Sequence, residues 1–122
     1  LVDCGLDPDD PRVQAAVRWL HGHEAVDHVP GIPQEDAEVQ MRDALVYYYF
    51  AALARAVERI PEAISQGHRR AVVARLQSMQ RPDGSWSNRC SLMREDDPLV
   101  ATPLALRALS ILGGPARAGD AQ

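Results

Sequence analysis

An all-α fold is predicted by three observations. Two segments carry apolar residues at helical spacing, two more are apolar on nearly every side, and no segment alternates like a strand. The order is amphipathic, all-apolar, amphipathic, all-apolar, which predicts a double layer of two outer helices wrapping two inner ones. A period of roughly 55 to 60 residues makes each outer/inner pair one unit of a repeat. Two pairs alone cannot enclose their inner members, so more chain or a partner subunit is expected to cover them.

Each element follows from local signals. Residues 1–8 read as a loop or the end of a preceding repeat: "LVDCGL" has no initiator Met and runs from apolar residues straight into turn formers, so the chain is expected to be a piece of a larger protein. The first helix pair spans residues 9–60. In "DDPRVQAAVRWL", Asp10 is an N-cap and Pro11 occupies the first helical position, where a missing N–H costs nothing. Val13, Ala16, Val17 and Leu20 then form one apolar face against Arg12, Gln14 and Arg18, and this helix should end near His23. Pro30, Gly31 and Pro33 mark a loop. The second helix should begin between Asp36 and Met41 and run to about Ile60. Its centre, "ALVYYYFAALA" at 44–54, has neither charge nor amide, which predicts burial on all sides.

The second pair spans residues 61–112. Pro61 breaks the run, and "HRRAVVARLQSMQ" places Val72, Val73, Leu76 and Met79 on one face; the helix starts between Pro61 and His68, a stretch weakened by Gly67. It stops at "QRPDGSW", residues 80–86, where Pro82 cannot continue the ladder, Asp83 bonds its own backbone and Gly84 accepts a positive φ. Thr102 and Pro103 repeat the cap-then-proline signature of Asp10 and Pro11, which predicts a fourth helix over 104–112. Gly113, Gly114 and Pro115 end it, and residues 113–122 are expected to be a flexible tail.

Composition narrows the function classes. A net charge of −4 gives no footprint for nucleic acid or for an anionic membrane surface. All 13 basic residues are Arg, which fits codon bias in a GC-rich genome. Cys4 and Cys90 are too few and too far apart for a disulfide framework or a CxxC metal knuckle. No stretch reaches the ~20 apolar residues of a membrane span. A soluble, cytoplasmic protein is favoured, with a signal peptide still allowed upstream of residue 1.

The string "RAVVARLQSMQRPDGSW" resembles the QW repeat of squalene and oxidosqualene cyclases, whose relatives include protein prenyltransferase β subunits. Arg70-Ala71, Leu76, Gln80, Gly84 and Trp86 match that repeat, while Arg75 stands where an aromatic is usual. "QAAVRWL" supplies the front half again, with Trp19-Leu20 in the aromatic-aliphatic place; Glu24 replaces the Gln and no Gly-x-Trp follows. "DDPRV", Tyr47-Tyr48-Tyr49, the 80–86 loop and the 99–109 helix also resemble, in order, proteins described as carrying prenyltransferase and squalene oxidase repeats. The resemblance covers roughly residues 9–112. It implies an α/α toroid, here a segment of two outer/inner pairs. In such repeats the Gln bonds groups at neighbouring helix ends and the Trp packs against it, so Gln80, Asp83, Gly84, Trp86 and Trp19 are expected to be structural.

A fold does not supply a function, so chemistry has to be found in specific residues. "DPDD" at 7–10, which includes Asp9, matches the DxDD of alkene-protonating cyclases, but it precedes an amphipathic, outer-type helix and reads as a cap and loop. "REDD" at 94–97 is better placed, ahead of an inner-type helix. Aligned on Asp96 and Asp97, however, its first carboxylate position is Arg94, and acids at a helix start also serve the dipole. Asp96, Asp97 and Asp9 are thus the weak catalytic candidates. For prenyltransferase-like zinc, Asp3 and Cys4 are adjacent rather than spaced Asp-x-Cys. His21 and His23 diverge by about 200° on a helix, with Asp27 and His28 following, so no metal or cofactor is expected. Among the aromatics, Tyr47 and Phe50 share a face and are possible cavity lining, with core packing the stronger reading.

Two functions follow. The first is a non-catalytic scaffold or interaction surface around an apolar cavity, partnered by the remaining toroid repeats or another subunit. The second is part of a terpenoid cyclase or isoprenoid-binding enzyme whose catalytic residues lie outside these 122 residues. An apolar, isoprenoid-like ligand suits either.

Overall fold

The computed structural model describes residues 2–32 and 41–114. The expected helix start at Asp36 and the tail beyond residue 114 lie outside the described residues. Among those described, the protein is all-α, with no strand. Its helices are α1 (Pro11–His21), α2 (Met41–Ala44), α3 (Val46–Arg59), α4 (Gln66–Met79) and α5 (Pro98–Leu112), with 3-10 turns at Val2–Cys4 and Pro61–Ala63.

Local chemistry explains most helix starts. At α1 the Asp10 carboxylate accepts from the Arg12 N–H at 2.9 Å, and Pro11 opens the helix. At α4 the Ser65 hydroxyl accepts from the His68 N–H at 3.0 Å, which fixes the boundary that composition left open. Helix α5 begins earlier than expected. Its cap-and-proline pair is Asp97-Pro98, with Asp97 accepting from the Leu99 N–H at 2.9 Å, so Thr102 and Pro103 lie inside the helix. Pro103 is tolerated there because the carbonyl it leaves without a helical partner belongs to Leu99, in the water-exposed first turn.

Helix α3 is the exception. Leu45 interrupts the run between α2 and α3 and offers no capping side chain.

Packing sets a clear hierarchy. The most extensive helix contact joins α3 to α5, and α4 lies on α5. Glu95, just ahead of α5, bonds the first turn of α3, so the two helices start at the same end of the molecule. Between them lies the main core, built on Tyr47, Phe50, Leu53, Val72, Leu76, Trp86, Ala105 and Ala108. A smaller cluster of Val13, Ile60 and Ala63 seats α1 against the 61–63 turn and the end of α3.

One expectation is corrected here. The all-apolar helices are not buried on every side: Tyr48 on α3 is 61 % exposed, and on α5 Leu99 is 84 % and Leu106 54 % exposed. An apolar helix is enclosed only where neighbours exist, and among the described residues α5 is buried at Ala101, Ala105, Ala108 and Leu112, with Leu104, Leu109 and Ile111 partly covered beside them.

Candidate functional site

The chain's unusual chemistry gathers where the end of α4 meets the starts of α3 and α5. The 80–86 turn forms as its residues dictate: Asp83 accepts from the Ser85 N–H and hydroxyl at 3.0 and 2.7 Å, and Gly84 takes φ 90°. Trp86 is 1 % exposed, and its indole N–H donates to the Leu76 carbonyl at 2.7 Å. That carbonyl is among the four that a helix end leaves without a partner, so the indole caps α4 while its ring fills the core. The Trp86 N–H in turn donates to the Thr102 hydroxyl at 3.1 Å, tying the loop to α5. Gln80 does not reach a neighbouring helix end as the resemblance implies. Its amide donates to the Gly84 carbonyl at 2.9 Å and closes its own turn.

At the opposite end of the α4/α5 pair the Arg69 guanidinium donates to the Leu112 and Ile111 carbonyls at 2.8 and 3.1 Å. A cation there answers the negative end of α5. Arg69 does this, whereas Arg70, the residue matched to the repeat, is exposed.

The acidic candidates separate. Asp97 is the α5 cap. Asp96 is exposed and takes part through its backbone carbonyl, which accepts from the Ser87 hydroxyl at 2.9 Å. Asp9 is exposed, and its N–H donates to the Asp7 carboxylate at 2.8 Å, so "DPDD" is a loop leading into the Asp10 cap. The buried acid is Glu95, between the candidates, at 1 % exposure. One carboxylate oxygen accepts from the Tyr47 N–H at 2.9 Å and the other from the Tyr48 N–H at 2.8 Å, supplying the cap α3 lacks. Burial pushes its pKa up, and bonds from Tyr48, Tyr47 and Asn88 oppose the rise. The signal for Glu95 was the tight turn at Arg94, whose φ of 66° rolls the next side chain inward, and no sequence pattern announces that.

The remaining candidates are dispersed. Phe50 is fully enclosed in the core. Tyr47 is buried too, with its hydroxyl donating to the Ser87 carbonyl at 3.3 Å; burial and the Glu95 charge raise its pKa. Trp19 is about half exposed and stacks on His23 at 3.9 Å between ring centroids. His21 bonds the Glu62 carbonyl, His23 the Trp19 carbonyl and His28 the Asp27 carboxylate, so the histidines do not converge. Among the described residues no three His, Cys, Asp or Glu side chains are grouped to hold a metal. Cys4 and Cys90 are free thiols.

Hollows flank this framework. An apolar groove of about 280 Å³ runs between α1 and α3, lined by Val13, Val17, Leu20, Ala52 and Ala56, with Asp3 at its rim paired to Arg59 at 2.8 Å and Arg55 at 3.3 Å. A polar cleft of about 710 Å³ lies at the junction itself, bordered by Val46, Tyr47 and Ser87. The Tyr49 hydroxyl is buried without a hydrogen-bond partner among the described residues, and burial, helped by the Glu24 charge, pushes its pKa up to about 12. None of these groups pairs a nucleophile with a base. Glu95 is committed as an acceptor at three bonds, which leaves it a cap rather than a proton donor. No helix is long and apolar enough to cross a membrane among the described residues. Compared with known protein families, curated proteins and solved structures, the chain matches none.

Proposed function

We propose that this chain is a repeat segment of an α/α toroid of the terpene-cyclase and prenyltransferase-like kind, acting as a non-catalytic scaffold that docks further helix pairs. The observation that carries this reading is the bare apolar flank of α5, where Leu99, Pro103 and Leu106 follow one another at helical spacing. Helix α5 covers α3 side by side from a common start. The same step repeated once more would lay another inner helix on that flank, so the occupant is a further pair of the same design. Acids are absent from this flank, which suits packing and not proton transfer.

Sedimentation of the wild type and of Leu99→Glu/Leu106→Glu tests it. Association through the flank predicts an oligomer that becomes a folded monomer in the double variant. A wild-type chain that sediments as a folded monomer would refute the scaffold. The α1/α3 groove favours a second reading, an isoprenoid-like ligand; a thermal shift with farnesol, abolished by Ala52→Phe, is its expected sign, and no shift would remove it.

A further inference from the structure

The polar cleft carries a second proposal, independent of the docking flank. Three arginines face it from two elements: Arg75 on α4, then Arg81 and Arg89 on the connection to α5. None of the three guanidinium groups pairs with a carboxylate among the described residues. Three other arginines are paired to carboxylates: Arg12 to Asp10, and Arg55 and Arg59 to Asp3. In a chain of net charge −4, the three arginines bordering this hollow outnumber the two aspartates, Asp27 and Asp43, that border it with them.

The first turn of α3 contributes Val46 and Tyr47 to the wall, and its Tyr47 and Tyr48 N–H groups are already held by the Glu95 carboxylate. Arg75 acts across the cleft, since its charge opposes the rise in the Tyr47 pKa. Two carboxylates also border it. Asp27 is held by His28 at 2.6 Å, and Asp43 sets the opposing negative charge on the α2 side.

We propose that this cleft binds a phosphoryl-type oxyanion, held by Arg75, Arg81 and Arg89. Planar guanidinium forks match the oxygens of such a group. The group arrives either on a soluble molecule or on a lipid headgroup, and both carry the same chemistry.

Calorimetric titration with pyrophosphate at low salt tests the site. The expected result is saturable binding that weakens at least about tenfold in Arg81→Gln/Arg89→Gln and weakens as salt rises. Asp43→Asn should tighten it, because a charge opposing the anion is removed, while Arg70→Gln, away from the cleft, should leave it unchanged. Vesicles containing phosphatidic acid form the second arm: sedimentation with them that is lost in the same double variant, without pyrophosphate binding, assigns the group to a lipid. The proposal is overturned if neither probe binds, if Arg70→Gln weakens binding as much as the cleft variants, or if Asp43→Asn weakens it. Thermal melts of each variant separate lost binding from lost fold.

Discussion

The α4–α5 half of the molecule and the α1 region are held by different kinds of bond. In the first, helix ends are closed by side chains from elsewhere: Trp86 on α4, Glu95 on α3, Arg69 on α5. In the second, Asp10 caps its own helix, exposed ion pairs join Asp3 to Arg55 and Arg59, and α1 buries Val13 alone. A buried bond between distant elements is shielded from water and is lost with either element, whereas a local cap persists without the rest and an exposed ion pair is screened by solvent. The difference teaches that stability should concentrate at the junction, and substitutions can break or sharpen that contrast.

Trp86→Ala should have the largest effect, about 3 to 5 kcal/mol lost in urea unfolding, since it removes core area and an orphan carbonyl's partner together. An unchanged midpoint would refute the junction as the anchor. Glu95→Ala should follow at about 2 to 4 kcal/mol, because two backbone N–H groups lose their acceptor in a buried place. The pH dependence sharpens it. Burial raises the Glu95 pKa in the folded chain, so the folded state holds the proton more tightly than the unfolded one. Its ionisation therefore subtracts stability as pH rises from the ordinary glutamate value of 4.5 through the raised one. The difference between wild type and Glu95→Gln should move in that direction across that window, and a difference flat with pH would contradict it. Arg69→Met should cost about 1 kcal/mol, the scale of a cation at a helix C-terminus. Smallest of all, Asp9→Asn in the α1 region should leave the midpoint unmoved; a measurable loss would mean "DPDD" is more than a cap and loop.

The parts legible in sequence are those decided within one turn. Asp10-Pro11, the Asp83-Gly84 turn and the amphipathic face of α4 depend on neighbours a few residues away, and they form as read, while of the expected α1 face Val13 is buried and Ala16 is exposed. Trp86 was legible as structural because a large aromatic after a helix stop has to pack somewhere. Glu95 and Arg69 were not, since each acts on a backbone more than forty residues distant, and no local spacing encodes the partner. The start of α5 was misplaced because Asp97-Pro98 and Thr102-Pro103 carry the same local signal, and only packing chooses between them. Burial of α3 and α5 was overread for a related reason: composition states what a helix can hide, and its neighbours decide what it does hide. The three arginines of the cleft carry no local signature: they are spread over residues 75–89, and only the fold brings them to the border of one hollow.

The Glu95 cap has one more consequence, for the order of folding. It closes the first turn of α3 from 48 residues further along the chain. Starting a helix is the costly step, and a contact of that span pays its loop-closure entropy before it gives anything back. On a growing chain, α3 therefore waits with a frayed start until the segment before α5 has been made. A ribosome pausing ahead of residue 95 would expose an apolar, uncapped helix, and α3 and α5 would then mature in a single late event.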